Sequence, residues 1–419
     1  MVEQAAPSKG SSALARSEVS GQALRPQAIS DIKADDKAGR YQTGFSDLDI
    51  VLGGGLLPGG VTLLAGQPGI GKSTLLLQLV AHVSNNLSVL YVSGEESASQ
   101  VSLRSKRLGV GGASLSFVAS TSADDIAATI RTGQYKLVVV DSIQTLALNE
   151  ITSAPGTVSQ ITNSSNAIIR AAKTTETAVV LVGHVTKEGS IAGPKVLEHL
   201  VDVVLQFEGD RYGGFKVVRA IKNRYGSTSE AAIFEMNDAG LQPVDNPSAS
   251  LLAERLNADG SVVLATIEGT RPLLVEIQAL VNPTSFGYPK RTASGFDLNR
   301  LNLLIAVLER RTKLNLSDKD IYINVVGGLR LSDPAADLAV CMAIASAAAQ
   351  RQLSDKLVVF GEVGLGGEVR SATRADRRAK EAEKLGFESA IGPKSNIKFV
   401  KGVTTVRQAL IDYLLTKEN

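Results

Sequence analysis

The chain contains a stretch suited to binding a polyphosphate. Residues 66–74 read GQPGIGKST and match the pattern GxxxxGK[ST], between one apolar run that predicts a strand and another that predicts a helix. In such a loop backbone N–H groups surround the phosphates, Lys72 reaches the β and γ phosphates, and Ser73 binds Mg²⁺. The alternative is a glycine-rich turn that binds nothing. The predicted nucleotide-binding residues are Gly66, Gln67, Pro68, Gly69, Ile70, Gly71, Lys72, Ser73 and Thr74.

Further polar side chains fall at the ends of predicted strands. LVVVD ends in Asp141, where a carboxylate can hold a metal's water shell, and the alternative is an Asp that caps the next helix. YVSGEES places Glu95 and Glu96 at another strand tip. We expect Glu95 to polarise an attacking water, the alternative being an acidic pair at a helix N-terminus. LVGHV supplies His184, as a sensor of the γ phosphate or as a structural residue.

A basic pair lies in the stretch IKNRYGST. Lys222 and Arg224 follow a predicted strand with one residue between them, so both side chains can project the same way. If that face meets a neighbouring subunit's nucleotide, the two cations act catalytically in trans, which requires a ring or filament. The alternative is an ordinary solvated basic turn.

The order of apolar runs predicts the elements that position these residues. From residue 61 onward β-branched runs alternate with helical patterns, which indicates a parallel sheet covered on both faces, and the last runs are close enough for hairpins. DNPSAS, residues 245–250, then interrupts the pattern. We therefore predict a flexible leader over residues 1–40, one domain over 41–245 and a second over 246–419.

Composition limits the class of protein. A chain of 419 residues is longer than a single hydrophobic core usually serves, so two domains are expected. No apolar run reaches the length of a membrane span, and the longest, AVCMAIASAAA, predicts a buried helix. Without a basic segment followed by an apolar one, cytoplasm is the expected location. Cys341 stands alone, which predicts core packing and excludes a multi-cysteine zinc site in this sequence. The net charge is +2, and the sequence contains no Trp on which bases could stack. Any bound nucleic acid is therefore expected to be held by its phosphates.

Several stretches together resemble the bacterial RadA (Sms) DNA repair family. They are TGFSDLDIVLGGGLLPGG, GQPGIGKST, YVSGEES, GHVTKEGSIAGPKVLEH and KNRYG, and the resemblance covers residues 41–419. It implies a RecA-like P-loop ATPase that uses ATP and Mg²⁺, forms a homohexamer and moves on single-stranded DNA as a helicase or translocase. It also implies branch migration in homologous recombination together with the RecA recombinase. The family usually opens with a four-cysteine zinc module, and those cysteines are not in this sequence.

The stretch TKEGSIAGPKVLEH, residues 186–199, directly follows the strand that ends at His184. A glycine-bearing loop at this place can shift when the γ phosphate leaves. Lys187 and Lys195 are therefore the predicted contacts to DNA phosphates in a central channel, the alternative being a simple surface loop.

The second predicted domain resembles the proteolytic domain of Lon, an α+β unit with the ribosomal S5 domain 2-like fold. Alignment with Lon's motifs places Ala335 where the nucleophilic Ser belongs and Asp376 where the Lys belongs, so a Ser–Lys dyad cannot form. We expect a non-proteolytic scaffold. Its predicted phosphate-binding arginines are Arg310, Arg311, Arg330, Arg370, Arg374, Arg377 and Arg378, and for the last three a solvated basic helix is the alternative.

Two other functions remain as alternatives to a DNA motor. One is a nucleotide-switched scaffold resembling KaiC-type ATPases, which share the RecA-like core. The other is an ATP-dependent protease of the Lon type, which Ala335 and Asp376 argue against. Dependence of ATP turnover on single-stranded DNA separates the motor from both.

Overall fold

The computed structural model of the protein describes residues 39–110, 114–184, 196–209, 214–285 and 287–415. These residues belong to one compact unit, Gly39–Asn419. The predicted leader up to residue 38 and the predicted DNA contacts Lys187 and Lys195 lie outside the described residues.

A first sheet is built from the strands that the sequence predicts around the phosphate-binding loop. In chain order they are β1 (Val61–Gly66), β2 (Val89–Ser93), β3 (Leu115–Ala119), β4 (Leu137–Asp141), β5 (Ala178–His184), β6 (Val203–Gly209), β7 (Phe215–Asn223), β8 (Ala231–Asn237) and β9 (Gly240–Pro243). The spatial order is β3-β2-β4-β5-β1-β6-β7-β8-β9. The strands from β3 to β6 in this order are parallel, and β7, β8 and β9 follow as antiparallel hairpins.

Helices connect the parallel strands. They are α2 (Lys72–Ser84), α3 (Ala98–Arg107), α4 (Ala123–Arg131), α5 (Val158–Thr175) and α6 (Val196–Leu200), whereas α1 (Ser46–Val51) precedes β1. Hydroxyl side chains cap several of them: Ser97 and Gln100 form a capping box at α3, and Ser122 and Thr157 accept backbone N–H groups at α4 and α5. These caps satisfy donors that the first helical turn leaves unpaired.

The two faces of the first sheet bury separate apolar clusters, because successive side chains of a strand point to opposite faces. In β4, Val139 lies in the cluster that contains Leu76 of α2. Its neighbour Val138 lies in the cluster that contains Ile126 of α4 and Ile168 of α5. The predicted parallel sheet with helices on both faces is therefore confirmed.

The remaining strands form a second sheet and a small ribbon. They are β10 (Ser261–Glu268), β11 (Arg271–Pro283), β12 (Arg291–Ser294), β13 (Lys319–Val325), β14 (Leu357–Val359), β15 (Glu362–Val363), β16 (Val369–Arg370), β17 (Ser389–Pro393) and β18 (Val400–Val403). The sheet order is β12-β13-β11-β10-β14-β17-β18, and β15 pairs with β16. The helices are α7 (Pro247–Leu252), α8 (Leu298–Thr312), α9 (Asp337–Ala349), α10 (Ala375–Lys384) and α11 (Val406–Leu410).

Helix α9 is the predicted buried helix, and the structure confirms it. Its residues from Asp337 to Ala347 are all buried, and Cys341 packs in the core with 0% exposure. Burial raises the pKa of Cys341 well above its ordinary value, which keeps the thiol protonated. No helix within the described ranges is long and apolar enough to cross a membrane.

The apolar core of the second sheet extends onto the hairpin strands of the first. Phe215 and Val217 of β7 and Ile233 of β8 belong to the same cluster as the side chains of α9 and β10. Arg219 of β7 also forms a 2.8 Å ion pair with Glu268, the last residue of β10. The boundary at residue 245 stays a prediction, since apolar packing crosses it.

Two leucines of α8 allow a matched stability measurement. Leu308 is 0% exposed, so Leu308→Ala should lower the free energy of unfolding by about 2 to 5 kcal/mol. Leu303 is 46% exposed, and Leu303→Ala should cost less than about 1 kcal/mol. The change in helix propensity is the same in both variants. Equal shifts of the denaturant unfolding curves of the full chain would contradict this assignment of the buried face.

Candidate functional site

The glycine-rich loop joins β1 to α2, as the sequence predicts. Gly66 ends β1, and a Cβ there would lie 2.7 Å from the carbonyl oxygen of Phe207. Gly71 caps α2 in the left-handed region with φ of 116°, and a Cβ there would lie 2.7 Å from Met236. Glycine at these positions lets the backbone turn tightly into the helix N-terminus, where free N–H groups and the helix dipole bind anions.

The amine of Lys72 is held inside this loop. Lys72 is 4% exposed, and its Nζ donates to the carbonyl oxygens of Gly66 at 2.9 Å and Gln67 at 3.0 Å. Burial lowers the pKa of Lys72 to about 8, against the opposing charges of Asp141 and Glu95. A polyphosphate placed at this amine would raise the pKa again, because a nearby negative charge favours the protonated form.

Asp141 ends β4 and collects two hydroxyl donors on one oxygen. Ser73 Oγ and Tyr91 Oη each lie 2.7 Å from Oδ2 of Asp141. Burial, together with the charge and hydrogen bond of Asp141, raises the pKa of Tyr91, so its hydroxyl stays a donor. Hydroxyl and carboxylate oxygens are ligands that Mg²⁺ prefers, so Ser73 and Asp141 fit the predicted metal role. Tyr91, which donates to Asp141, was not predicted from the sequence as a residue of this site.

Glu95 accepts hydrogen bonds from two neighbouring elements. Ser142 Oγ lies 2.5 Å and His184 Nε2 lies 3.2 Å from Oε1 of Glu95. Partial burial raises the pKa of Glu95, but these hydrogen bonds and the charge of Lys72 outweigh it, so the pKa lies below its ordinary value. Glu95 is therefore an ionised carboxylate that can orient and deprotonate a water.

His184 connects the phosphate-binding lysine to this carboxylate. Its Nδ1 lies 3.1 Å from Nζ of Lys72, while its Nε2 faces Glu95. The neutral tautomer with a proton on Nε2 satisfies both contacts, because Nδ1 then accepts from the lysine and Nε2 donates to the carboxylate. One imidazole thus contacts both the lysine and the carboxylate.

The adjacent Glu96 is directed to a different partner. Its two carboxylate oxygens accept from both terminal nitrogens of Arg104, on α3. Arg104 and Arg107 line the same cavity as Lys72 and Asp141. Sequence reasoning missed both arginines, although their spacing of three residues on a predicted helix places them on one face.

Lys222 and Arg224 have different partners near α6, and their proposed roles stay a prediction. Arg224 lies 3.2 Å from Asp202 and its side chain is 56% exposed. Nζ of Lys222 instead donates to backbone carbonyls of its own chain. These are the carbonyl oxygens of Glu198 at 2.7 Å, His199 at 3.3 Å and Val201 at 2.7 Å.

The arginines predicted to bind phosphates lie at several separate positions around the second sheet. Arg310 and Arg311 are exposed in the last turn of α8. Arg330 is exposed and lines a cavity together with Gln67 of the phosphate-binding loop. Arg374 precedes α10 and donates to the carbonyl oxygen of Gly269.

The remaining predicted arginines have partners inside the chain. Arg370 pairs with Glu368, and Arg377 donates to the carbonyl oxygen of Thr270. Arg378 is 0% exposed and pairs with Asp333 at 2.7 Å. Arg378 is therefore a core residue, and both the surface role and the solvated-helix reading are wrong for it.

Comparisons with known proteins identify two matching families and several long relatives. Residues 26–190 match the family described as AAA domain, and residues 301–396 match the family described as subunit ChlI of Mg-chelatase. The DNA repair protein RadA of Halalkalibacterium halodurans is 49% identical over 396 residues, which cover 92% of this chain and 86% of the relative. RadA of Bacillus subtilis is 49% identical over 375 residues, which cover 89% and 82%. The crystal structure of the RadB recombinase aligns with 49% of this chain and 100% of its own at 21% identity and a TM-score of 0.39.

The fold and the site define a RecA-like P-loop ATPase core followed by an α+β Lon-like part. The match to RadA proteins at 49% identity over most of both chains identifies the family. The chain belongs to the RadA DNA repair protein family.

The lowered pKa of Lys72 predicts that nucleotide binding takes up a proton at alkaline pH. In the free protein this pKa is about 8, and a bound polyphosphate raises it, so the complex holds more protons than the free protein. The affinity for ATP should be constant below about pH 7 and fall by up to about tenfold per pH unit above about pH 8.

Titration calorimetry at pH 8.5 in two buffers of different ionisation enthalpy measures this proton uptake directly. Lys72→Arg serves as the control, because a guanidinium stays protonated throughout this range and should take up no proton. Proton uptake by the arginine variant equal to that of the unaltered protein would assign the effect to another group.

Proposed function

We propose that the protein is a DNA-dependent ATPase that moves on single-stranded DNA and promotes branch migration in homologous recombination and DNA repair. The observation that carries the proposal is the pair of contacts that His184 makes with Lys72 and with Glu95. These contacts link the lysine proposed to bind phosphate to the glutamate proposed to deprotonate water. Membership of the RadA family supports the role in DNA repair.

In the proposed reaction, the backbone of the loop and Lys72 bind the β and γ phosphates, and Glu95 accepts a proton from the attacking water. Mg²⁺, held by Ser73 and Asp141, would neutralise charge on the phosphates. Tyr91 positions Asp141 through its hydroxyl. Each of these groups is fixed by the end of a parallel strand or by the start of a helix, which is where ligands bind in such sheets.

Coupling to DNA is proposed to run through residues 185–195. His184 precedes this segment, and α6, whose last carbonyls accept from Lys222, follows it. Loss of the γ phosphate would alter the contact of Lys72 with His184 and so act on a segment that contains Lys187 and Lys195. Both lysines are proposed to bind DNA phosphates there.

The proposed assembly is a homohexamer in which Arg224 approaches the nucleotide of a neighbouring subunit. Its 56% exposed side chain is accessible for such a contact, whereas the amine of Lys222 is engaged by its own chain. Lys222 is therefore proposed to position α6 for this contact. The exposed arginines Arg310, Arg311 and Arg330, together with Arg374, are proposed to add phosphate contacts, and the RecA recombinase is the proposed partner protein.

Lys72→Ala should abolish ATP turnover, because the amine that binds the β and γ phosphates is removed. The measurement is the ATPase rate of the full chain with and without single-stranded DNA, alongside particle mass by light scattering. Stimulation by DNA in the unaltered protein, lost in the variant, is the expected result. Turnover that ignores DNA, or a monomer at every concentration, would reject the motor and favour a nucleotide-switched scaffold.

Arg224→Ala should leave folding, assembly and ATP binding intact, since Asp202 keeps Lys173 and the N–H group of Val61 as partners. The DNA-stimulated ATPase rate should fall by about 10³-fold or more, as when a finger arginine is removed. Arg407→Ala, at another exposed arginine, is the control. Branch migration by Arg224→Ala at the rate of the control would exclude a finger role.

A further inference from the structure

Asp202 and Arg224 lie at the edge of the first sheet that is opposite to the phosphate-binding loop. Asp202 precedes β6 and Arg224 follows β7, and the start of β6 lies beside the start of β1. The loop follows the other end of β1, Gly66, which is about 16 Å further along the strand. One side chain does not span this distance. A nucleotide that Arg224 contacts must therefore belong to a neighbouring subunit.

Asp202 is held in place by main-chain and side-chain hydrogen bonds. Its N–H donates to the carbonyl oxygen of Val61 at 2.9 Å, and Oδ2 accepts from the N–H of Val61 at 3.0 Å and from Nζ of Lys173 at 2.5 Å. Burial raises the pKa of Asp202, but the hydrogen bonds from Lys173 and Val61 outweigh it, so the pKa lies below its ordinary value. At 3% exposure, Asp202 is a fixed and ionised carboxylate.

The other carboxylate oxygen of Asp202 faces Arg224. Oδ1 accepts from Nη1 of Arg224 at 3.2 Å, and the carbonyl oxygen of Asp202 accepts from the N–H of Arg224 at 3.1 Å. The backbone and the guanidinium of Arg224 are thus tied to the same residue. The side-chain contact uses one of the five donors of a guanidinium, and the side chain is 56% exposed. Further donors therefore remain accessible to a phosphate.

We propose that Asp202 is a positioning residue for Arg224, and that its carboxylate directs the guanidinium toward the nucleotide bound by a neighbouring subunit. The inference rests on the proposed function, because it requires that Arg224 acts in trans. A long, half-exposed side chain loses rotamer freedom when it contacts a phosphate, and a fixed partner reduces that loss. Asp202 has no part in ATP binding by its own subunit, since that site lies at the opposite edge of the sheet.

Asp202→Asn tests the proposal on the full chain, because an amide keeps an acceptor for the N–H of Val61 and removes the charge that holds Arg224. ATP affinity measured by calorimetry should be unchanged. The kcat of the DNA-stimulated ATPase should fall about 10- to 100-fold, the range expected for a displaced reacting group. Lys173→Met is the matched control, because it removes a donor from Oδ2 and leaves the contact of Oδ1 with Arg224; it should retain the rate of the unaltered protein.

Thermal unfolding shows whether each variant is folded. If Asp202→Asn fails to fold, Asp202→Glu replaces it, because the longer side chain keeps the charge but moves the carboxylate by one methylene group. The same fall in kcat with unchanged ATP affinity is expected for this variant.

Mixed rings separate positioning from a merely structural role. Lys72→Ala subunits lack the phosphate-binding amine but keep Asp202 and Arg224, so they should complement Asp202→Asn subunits, whose own nucleotide sites are intact. An equal mixture should regain up to about one quarter of the unaltered rate, because half of the subunits have an intact site and half of these have an intact neighbour. Each variant alone should stay well below this rate.

An unchanged kcat in Asp202→Asn would overturn the proposal, and so would a raised kcat, which would show that Asp202 keeps Arg224 away from the nucleotide. Complementation of Arg224→Ala by Lys72→Ala, without complementation of Asp202→Asn, would assign Asp202 a structural role instead. If Arg224→Ala itself keeps the full rate, the finger role in the proposed function fails, and the positioning role fails with it. That result comes from Arg224→Ala alone and is therefore distinct from the others.

Discussion

The buried amine of Lys72 is the group on which the rest of the site depends. Burying an ammonium is costly unless it is paired, and here carbonyl oxygens of the loop and Nδ1 of His184 surround it. The ammonium group of Lys72 thus holds the loop in shape, and a bound polyphosphate can replace the carbonyl oxygens as its partner. Since β1 lies between β5 and β6, the lysine that follows β1 is brought beside the last residue of β5, His184.

Register between neighbouring parallel strands places the other functional groups. Ser93 of β2 is aligned with Asp141 of β4, so the residues after each strand, Glu95 and Ser142, meet at one edge. Tyr91, two residues before Ser93, reaches the same carboxylate through its hydroxyl. Alignment to within one residue is necessary, because a shift by one would turn each of these side chains to the opposite face.

The sequence predicts elements and strand-end residues well because apolar periodicity and the glycine-rich pattern are local signals. The loop, Asp141, Glu95 and the buried helix α9 all follow from such signals. Contacts that depend on how strands and helices are arranged in space are not local. For that reason Tyr91 and Arg104 escaped prediction, and Arg378 was taken for a surface residue although it lies in the core with Asp333.

Strand β7 belongs to both halves of the molecule. Phe215 and Val217 pack into the core of the second sheet, while Val218 packs into the first, and Lys222 near the far end of β7 donates to carbonyl oxygens of α6. Arg219 in its middle is paired with Glu268, whose pKa burial raises to about 7 against the charge of Arg219.

The second sheet therefore contacts β7 through apolar packing and through the ion pair of Arg219 with Glu268. Lys222 lies near the end of β7 and Arg224 directly follows the strand, so β7 leads from the second sheet to α6 and to the surface proposed to meet a neighbouring subunit. β7 is paired on both sides, by β6 and by β8. The second sheet is thus joined through β7 and β6 to β1, the strand that leads into the phosphate-binding loop.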